Sequence, residues 1–128
     1  MKDSTKSIWG GEEKRLIGGS TQVPIVNSVV FAYEDVEEWA DVIEGRKKGY
    51  VYGRYNNPTV EAFEEKVRVL EGGEAAVSFT TGMAAITDTM FSLLSPGDRI
   101  VSVKDTYGGT NRLFLDILPK FGIQVTLC

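Results

Sequence analysis

The most informative gap in the sequence is histidine, which is absent from all 128 residues. This absence excludes a Ser-His-Asp triad, a histidine general base and a histidine-ligated metal site within the chain. The single cysteine is Cys128, so no internal disulfide can form. Any proton chemistry carried by these residues must therefore use Lys, Tyr, Asp, Glu or a bound cofactor.

Long apolar runs and extended basic patches are missing as well. No run approaches the roughly 20 apolar residues of a membrane helix, and residues 1–19 contain no apolar signal region. The net charge is −4, and the longest basic cluster, residues 46–48, follows an acidic segment. We therefore expect a cytoplasmic protein that has neither a nucleic-acid nor a membrane partner and binds no metal.

Short apolar strands alternate with helical patterns in the second half of the chain. This alternation is typical of an α/β fold with a mainly parallel sheet and helices on both faces. The predicted strands are 75–79, 99–103 and 123–127, and the predicted helices are 34–45, 59–72, 82–94 and 111–118.

Residues near the helix ends predict where the first two helices begin and end. Asp35 is expected to cap the first helix in a capping box with Glu38, and Gly45 to end it. Thr59 is the expected cap of the second helix. Residues 1–33 show no sustained helical period and are interpreted as an arm that wraps over another part of the protein.

The stretch Thr81-Gly82-Met83 joins a predicted strand to a predicted helix. Ligands of open α/β sheets bind beyond the carboxyl ends of the strands, and the free N–H groups of a helix N-terminus attract phosphate. This stretch taken alone favours the alternative, in which Thr81 only caps the helix and no ligand binds. The chain has neither a Walker A loop nor a G-x-G-x-x-G pattern, which makes a plain nucleotide-binding domain the least favoured function.

Tyr107 follows the next predicted strand and is expected at the same sheet edge as Thr81. An aromatic ring beside an anion seat suits a phosphorylated ring cofactor, whereas the alternative is a surface tyrosine on a glycine turn. Lys104 is either an amine nucleophile or a solvated side chain.

The third candidate stretch contains Tyr52 and Arg54. The planar guanidinium of arginine suits phosphate. In the alternative, the tyrosines of this loop pack on a partner and Arg54 meets a carboxylate.

Four stretches in this order resemble the cystathionine γ-synthase-like family, the trans-sulfuration enzymes that depend on pyridoxal 5'-phosphate (PLP). They are YGRYNNPT (52–59), TTGMAAI (80–86), SPGDRI (95–100) and YGGTNRLF (107–114). A weaker match, TQVPIVNSVVF (21–31), fits the family's N-terminal arm. The resemblance implies that residues 1–57 form an arm and helix contacting a neighbouring subunit. It also implies that residues 58–128 form the first part of the fold-type I PLP-binding large domain.

The resemblance also implies roles for single residues. The stretch 81–83 matches the block that binds the PLP phosphate, with Thr81 where family members usually have Ser. Tyr107 matches the catalytic tyrosine that stacks on the pyridine ring and handles protons near the amino-acid substrate. Tyr52 and Arg54 match residues that reach the phosphate of a neighbouring active site, which implies at least a dimer.

The family's Schiff-base lysine lies in a Ser-x-Thr-Lys block, and this sequence contains no such block. We therefore expect the chain alone to be inactive and a C-terminal polypeptide to supply the rest of the enzyme. Gly109 stands where methionine γ-lyases typically carry cysteine, which disfavours that activity. The stretch YGGTNR (107–112) looks most like cystathionine γ-synthases and γ-lyases, and cystathionine γ-synthase is the favoured activity. The alternatives are cystathionine γ-lyase, O-acetylhomoserine sulfhydrylase, and a truncated, non-catalytic fragment or interaction module.

Overall fold

The computed structural model describes residues 2–10 and 20–128, and the chain divides into two compact units, Met1–Val77 and Ser78–Cys128. None of the described helices is long and apolar enough to cross a membrane. The division into 1–57 and 58–128 expected from the sequence stays a prediction. The part of the predicted arm at residues 11–19 lies outside the described residues.

The first unit contains α1 (Asp3–Trp9), α2 (Val36–Ile43) and α3 (Pro58–Glu71). The helix α1 lies within residues 1–33, where the sequence shows no sustained helical period. Seven residues are too few to show a readable period or to form a stable isolated helix. Contact with α3 stabilises this short helix, since the Lys66 ammonium donates a hydrogen bond to the Ile8 carbonyl at 3.3 Å.

The helix α2 begins and ends as predicted. The Asp35 carboxylate accepts a hydrogen bond from the Glu38 N–H at 2.6 Å. Gly45 follows the helix in the left-handed conformation, with φ of +73°. Three apolar side chains of α2 are 42–75% exposed in this structure, and they are Val36, Trp39 and Ile43.

The predicted cap of α3 is wrong by two residues. Asn57 caps the helix, because its side-chain oxygen accepts a hydrogen bond from the Thr59 N–H at 2.8 Å. The Thr59 hydroxyl instead accepts from the Val26 N–H at 2.9 Å and donates to the Pro24 carbonyl at 3.0 Å. Thr59 therefore ties the arm to α3, and this long-range role overrides its local capping preference.

The second unit contains α4 (Gly82–Leu93), β1 (Arg99–Ser102), α5 (Gly108–Arg112) and β2 (Gln124–Leu127). The helix α5 continues as a wider π turn over Leu113–Ile117 and a tight 3₁₀ turn over Leu118–Phe121. The strands β1 and β2 are parallel, with a register from Arg99 opposite Gln124 to Ser102 opposite Leu127. The predicted α/β alternation is thus confirmed for these elements.

The strand predicted at 75–79 is not formed in the structure. The sheet built by the described residues has only the strands β1 and β2, which pair with each other. A strand requires a hydrogen-bonded neighbour, and an apolar sequence cannot provide one by itself. Residues 75–79 therefore have the apolar sequence of a strand but no neighbouring strand to pair with among the described residues.

The core of the second unit lies between α4, the helical segment 108–121 and the two strands. Its buried side chains are at most 6% exposed, and they are Leu113, Phe114, Leu118 and Ile123. The apolar side chains packed against them are Met83, Ile86, Met90, Leu94, Ile100, Val125 and Leu127. Since Met83 stands in the first turn of α4, this core also positions the start of that helix.

Replacing Leu118 with alanine should destabilise the protein by about 2–5 kcal/mol, because a fully buried leucine leaves a cavity that the surroundings fill only partly. Urea unfolding followed by circular dichroism measures the change. Leu93→Ala is the matched control, since Leu93 is 75% exposed and should change stability by no more than about 0.5 kcal/mol. Equal losses in both variants would contradict the assigned core.

The Glu61 carboxylate on α3 has two donors in the first unit. The Tyr50 hydroxyl donates a hydrogen bond to it, and the Lys48 ammonium lies 2.9 Å away. Burial opposes ionisation of Glu61, but these two donors outweigh burial and hold its pKa below the ordinary value of 4.5. A depressed pKa in the folded state stabilises the fold above pH 4.5, and this contribution is lost as the pH falls through the folded pKa.

Glu61→Gln should therefore be less stable than the parent protein at pH 7, and the difference should shrink below pH 4.5. The measurement is the free energy of unfolding in urea at a series of pH values. Glu71→Gln, at the exposed end of the same helix, controls for the loss of one negative charge. A Glu61→Gln deficit that stays constant from pH 7 to pH 3 would show that ionisation of Glu61 contributes nothing.

Candidate functional site

The N-terminus of α4 is open to a ligand. The Thr81 hydroxyl oxygen accepts a hydrogen bond from the Ala84 N–H at 3.0 Å, which confirms the predicted cap. Among residues 2–10 and 20–128, no acceptor is bonded to the backbone N–H groups of Gly82 and Met83. A Cβ built on Gly82 meets no atom within 4 Å. The first turn of α4 therefore combines unpaired donors, a positive helix end and free space.

Tyr107 and Met83 come together around Gly109. A Cβ on Gly109 would lie 2.9 Å from Tyr107 Cε1 and 3.1 Å from the Met83 sulfur. The Thr110 hydroxyl also lies 3.5 Å from that sulfur. The glycine is thus needed for this close approach, which brings the stretches 81–83 and 107–110 together although the strand predicted before Thr81 is not formed.

The Tyr107 side chain is 75% exposed and stands at the N-terminus of α5. One edge of its ring lies against Gly109, so the remaining surface is free for a ligand. The structure therefore places an exposed aromatic ring next to the first turn of α4. It does not by itself assign a catalytic role to Tyr107, which stays a prediction.

Tyr52 and Arg54 belong to the first unit, in a loop held by the arm. Val30 pairs with Tyr52 in an antiparallel bridge, and the Gly53 N–H donates to the Val29 carbonyl at 2.7 Å. The Arg54 guanidinium carbon lies 4.8 Å from the centroid of the Tyr52 ring. The alternative in which Arg54 meets a carboxylate is not what the described residues show, because their ion pairs do not include Arg54.

Two features near these residues were missed at the sequence level. Tyr55 contributes a second ring to Arg54, with its centroid 5.4 Å from the guanidinium carbon. Next to Tyr107, the side-chain oxygens of Thr106 and Asn111 are buried without a hydrogen-bond partner in the described part of the chain. The sequence carried a signal for Tyr55 only in its spacing of three from Tyr52, and none for the two oxygens.

The other candidate sites give little support for binding or catalysis. Lys104 is exposed, in agreement with a solvated side chain. A cleft of about 720 Å³ in the first unit is lined by residues such as Lys48, Glu61 and Arg68 and by none of the predicted site residues. Across the described ranges, no group of three or more Cys, Asp or Glu residues is arranged to hold a metal ion.

The groups at the start of α4 and at Tyr107 fit a phosphorylated ring cofactor. Unpaired N–H groups and a hydroxyl that retains its own proton suit phosphate oxygens. The space around Gly82 is open, since a Cβ at that residue would meet no atom within 4 Å. The exposed ring of Tyr107 offers a face for stacking.

Comparison with known proteins agrees with this chemistry. The family model of the Cys/Met metabolism PLP-dependent enzymes matches residues 4–128. An O-acetyl-L-homoserine sulfhydrylase from Corynebacterium glutamicum is 38% identical over 95% of this chain and 28% of its own length. An L-methionine gamma-lyase from Fusobacterium nucleatum is 38% identical over 95% and 31%. Cystathionine gamma-synthase 1 from Nicotiana tabacum is 35% identical over 98% and 24%.

Solved structures show the same relationship. The crystal structure of metB from Corynebacterium glutamicum superposes with a TM-score of 0.87 at 38% identity, over 100% of this chain and 31% of that one. A putative O-acetylhomoserine (thiol)-lyase from Campylobacter jejuni, solved with a pyridoxyl-lysine monophosphate, gives 0.89 at 26% identity, over 99% and 31%.

The chain thus spans about 24–31% of the length of these relatives and matches their N-terminal portion. The α/β fold with a parallel strand pair is the first part of the fold-type I architecture. The family is PLP-dependent, and its members are lyases and transferases of sulfur amino-acid metabolism. Because the match extends over almost the whole sequence, this chain belongs to the Cys/Met metabolism PLP-dependent enzyme family.

Proposed function

We propose that this chain is the N-terminal part of a cystathionine γ-synthase and forms one side of its PLP site. The observation that carries the proposal is the open first turn of α4, capped by Thr81, beside the exposed Tyr107. When bound, PLP acts as an electron sink for bonds of the amino-acid substrate. The residues of this chain bind and orient it.

The stretch 81–83 is proposed to hold the phosphate. The N–H groups of Gly82 and Met83 lack acceptors among the described residues, and the helix N-terminus carries about half a positive charge. The Thr81 oxygen accepts from Ala84, which leaves its hydroxyl proton free to donate to a phosphate oxygen. Cap and phosphate site therefore use the same residue.

Tyr107 is proposed to cover one face of the pyridine ring and to hold a proton on its Oη near the substrate. The absence of a Cβ at Gly109 leaves room for the ring beside the first turn of α4. Tyr52 and Arg54 are proposed to donate to the phosphate in a neighbouring subunit, which makes the enzyme at least a dimer. The proposed role of Arg54 is supported by the observation that Arg54 forms no ion pair with the described carboxylates.

The proposed reaction joins cysteine to a substituted homoserine. The thiol sulfur of cysteine forms a bond to Cγ, the bond from Cγ to the leaving oxygen breaks, and the substituent departs as its acid. We favour this activity because the stretch 107–112 resembles cystathionine γ-synthases and because Gly109 carries no thiol, unlike the cysteine typical of methionine γ-lyases. O-acetylhomoserine sulfhydrylase is the second candidate, supported by the 38% identical relative from Corynebacterium glutamicum. Cystathionine γ-lyase remains an alternative of the same class.

The test compares the 128-residue chain with the complete polypeptide that carries it. The complete protein should be yellow, should be fixed to PLP by borohydride, and should convert O-acylhomoserine and cysteine into cystathionine. Homocysteine formed from sulfide in preference to cystathionine would identify a sulfhydrylase, and cleavage of cystathionine a γ-lyase. The 128-residue chain alone should be inactive, since it has no Ser-x-Thr-Lys block. A complete protein that is colourless and does not bind added PLP would support a non-catalytic interaction module instead.

Replacing Gly109 with alanine should displace Tyr107, because the new Cβ would lie 2.9 Å from its ring. We expect kcat/KM of the complete enzyme to fall by about 10- to 100-fold, as for other misplaced catalytic groups. Steady-state kinetics and the circular dichroism of bound PLP measure the effect. Gly108→Ala is the matched control, since a Cβ there meets no atom within 4 Å. Equal activity of the two variants would remove the proposed role of Gly109.

A further inference from the structure

Arg54 lies in a notch between two aromatic rings, which we call the aromatic notch and define as the rings of Tyr52 and Tyr55. The guanidinium carbon is 4.8 Å from one ring centroid and 5.4 Å from the other. The two rings are 6.2 Å apart and inclined at 63°. Both distances from the guanidinium carbon lie within the roughly 6 Å of a cation–π contact, so the cation contacts both rings.

The backbone of the loop creates this notch. The Tyr55 N–H donates to the Tyr52 carbonyl at 2.9 Å, which closes a tight turn and brings the two rings to one side. Gly53 sits at the turn, where an added Cβ would lie 3.3 Å from the Ser28 carbonyl oxygen of the arm. The arm and the turn together thus hold the backbone that carries the two rings.

Tyr55 is otherwise hard to explain as a structural residue. Its side chain is 76% exposed, and the aromatic contacts found for it among the described residues are those with Tyr52 and Arg54. By contrast, Tyr50 and Tyr33 each use their hydroxyl in a hydrogen bond within the first unit. The contact with Arg54 is therefore the interaction that explains why a tyrosine stands at residue 55.

Contact of a guanidinium with aromatic rings leaves its N–H donors available for other partners. Rings attract the cation through their faces, whereas the hydrogen-bond donors lie in the guanidinium plane. A long side chain also loses rotamer freedom when it binds a ligand, and prior restriction by the rings lowers this cost. Within the described residues no carboxylate competes for these donors.

We propose that Tyr55 is a positioning residue that, together with Tyr52, holds Arg54 in the aromatic notch with its donors directed to a phosphate monoester. This inference rests on the proposed function, in which Arg54 binds the phosphate of PLP. It adds a residue that acts through Arg54 and does not itself touch the phosphate. The ring of Tyr55, and not its hydroxyl, supplies the effect.

The test measures the dissociation constant of PLP for the complete apoenzyme by absorbance titration. Tyr55→Leu should weaken PLP binding by about two- to fivefold, the effect of one exposed cation–π contact. Tyr55→Phe keeps the ring and should stay within twofold of the parent. Inorganic phosphate, used alone as a competitor of PLP, should lose affinity in parallel in Tyr55→Leu. An unchanged PLP dissociation constant in Tyr55→Leu would overturn the inference.

A double-mutant cycle with Arg54→Ala separates this inference from the proposed function. Tyr55→Leu should have no further effect in the Arg54→Ala background, because the residue acts only through Arg54. An equal loss in both backgrounds would show an independent role for Tyr55 and would also overturn the inference. If Arg54→Ala itself leaves PLP affinity unchanged, the proposed role of Arg54 fails, and the inference about Tyr55 fails with it. If Arg54→Ala weakens binding and Tyr55→Leu does not, only the role of Tyr55 fails.

Folding is checked by the thermal unfolding of each variant. Should Tyr55→Leu not fold, Tyr55→Trp replaces it, since Trp offers the strongest cation–π face. Its PLP affinity should equal or exceed that of the parent enzyme. A loss of more than twofold in a folded Tyr55→Trp protein would contradict the proposal.

Discussion

The burial of Leu118 and its neighbours against α4 is the interaction on which the second unit depends. Leu118 is fully buried, and Leu113, Phe114 and Ile123 complete a small core that also contacts both strands. One of the side chains packed on this core is Met83 in the first turn of α4. Hydrophobic burial therefore does more than stabilise the unit, since it also decides where the open end of α4 lies relative to Tyr107.

The first unit is organised mainly by hydrogen bonds between distant segments. Thr59 joins α3 to the arm through two bonds, and the arm in turn pairs with the loop that carries Arg54. Backbone groups in irregular segments need partners as much as those in helices do. Here each satisfied group also fixes a polar or aromatic residue in place. The arm consequently acts as a support for the loop rather than as a loose extension.

Each unit presents one feature that favours an anion. In the second unit, the N–H groups of Gly82 and Met83 have no acceptor among the described residues, and the space around Gly82 is open. The Arg54 guanidinium is held by rings and not by a carboxylate within the described chain, so its positive charge is not neutralised there. Both features favour an anion, in agreement with a family that depends on a phosphorylated cofactor.

The sequence by itself determined the family, the order of most helices and strands, and the caps at Asp35 and Thr81. Such features are local, because periodicity and capping depend on residues within about one turn of each other. Sequence motifs also indicated Thr81, Tyr107 and Arg54 as candidate site residues. Tertiary structure alone decided the partners of Thr59, the absence of a strand at 75–79, the contact of Tyr107 with Gly109 and the pairing of the arm with the Arg54 loop. Each of these depends on which distant backbone or side chain is available as a partner, and no local pattern in a single sequence contains that information.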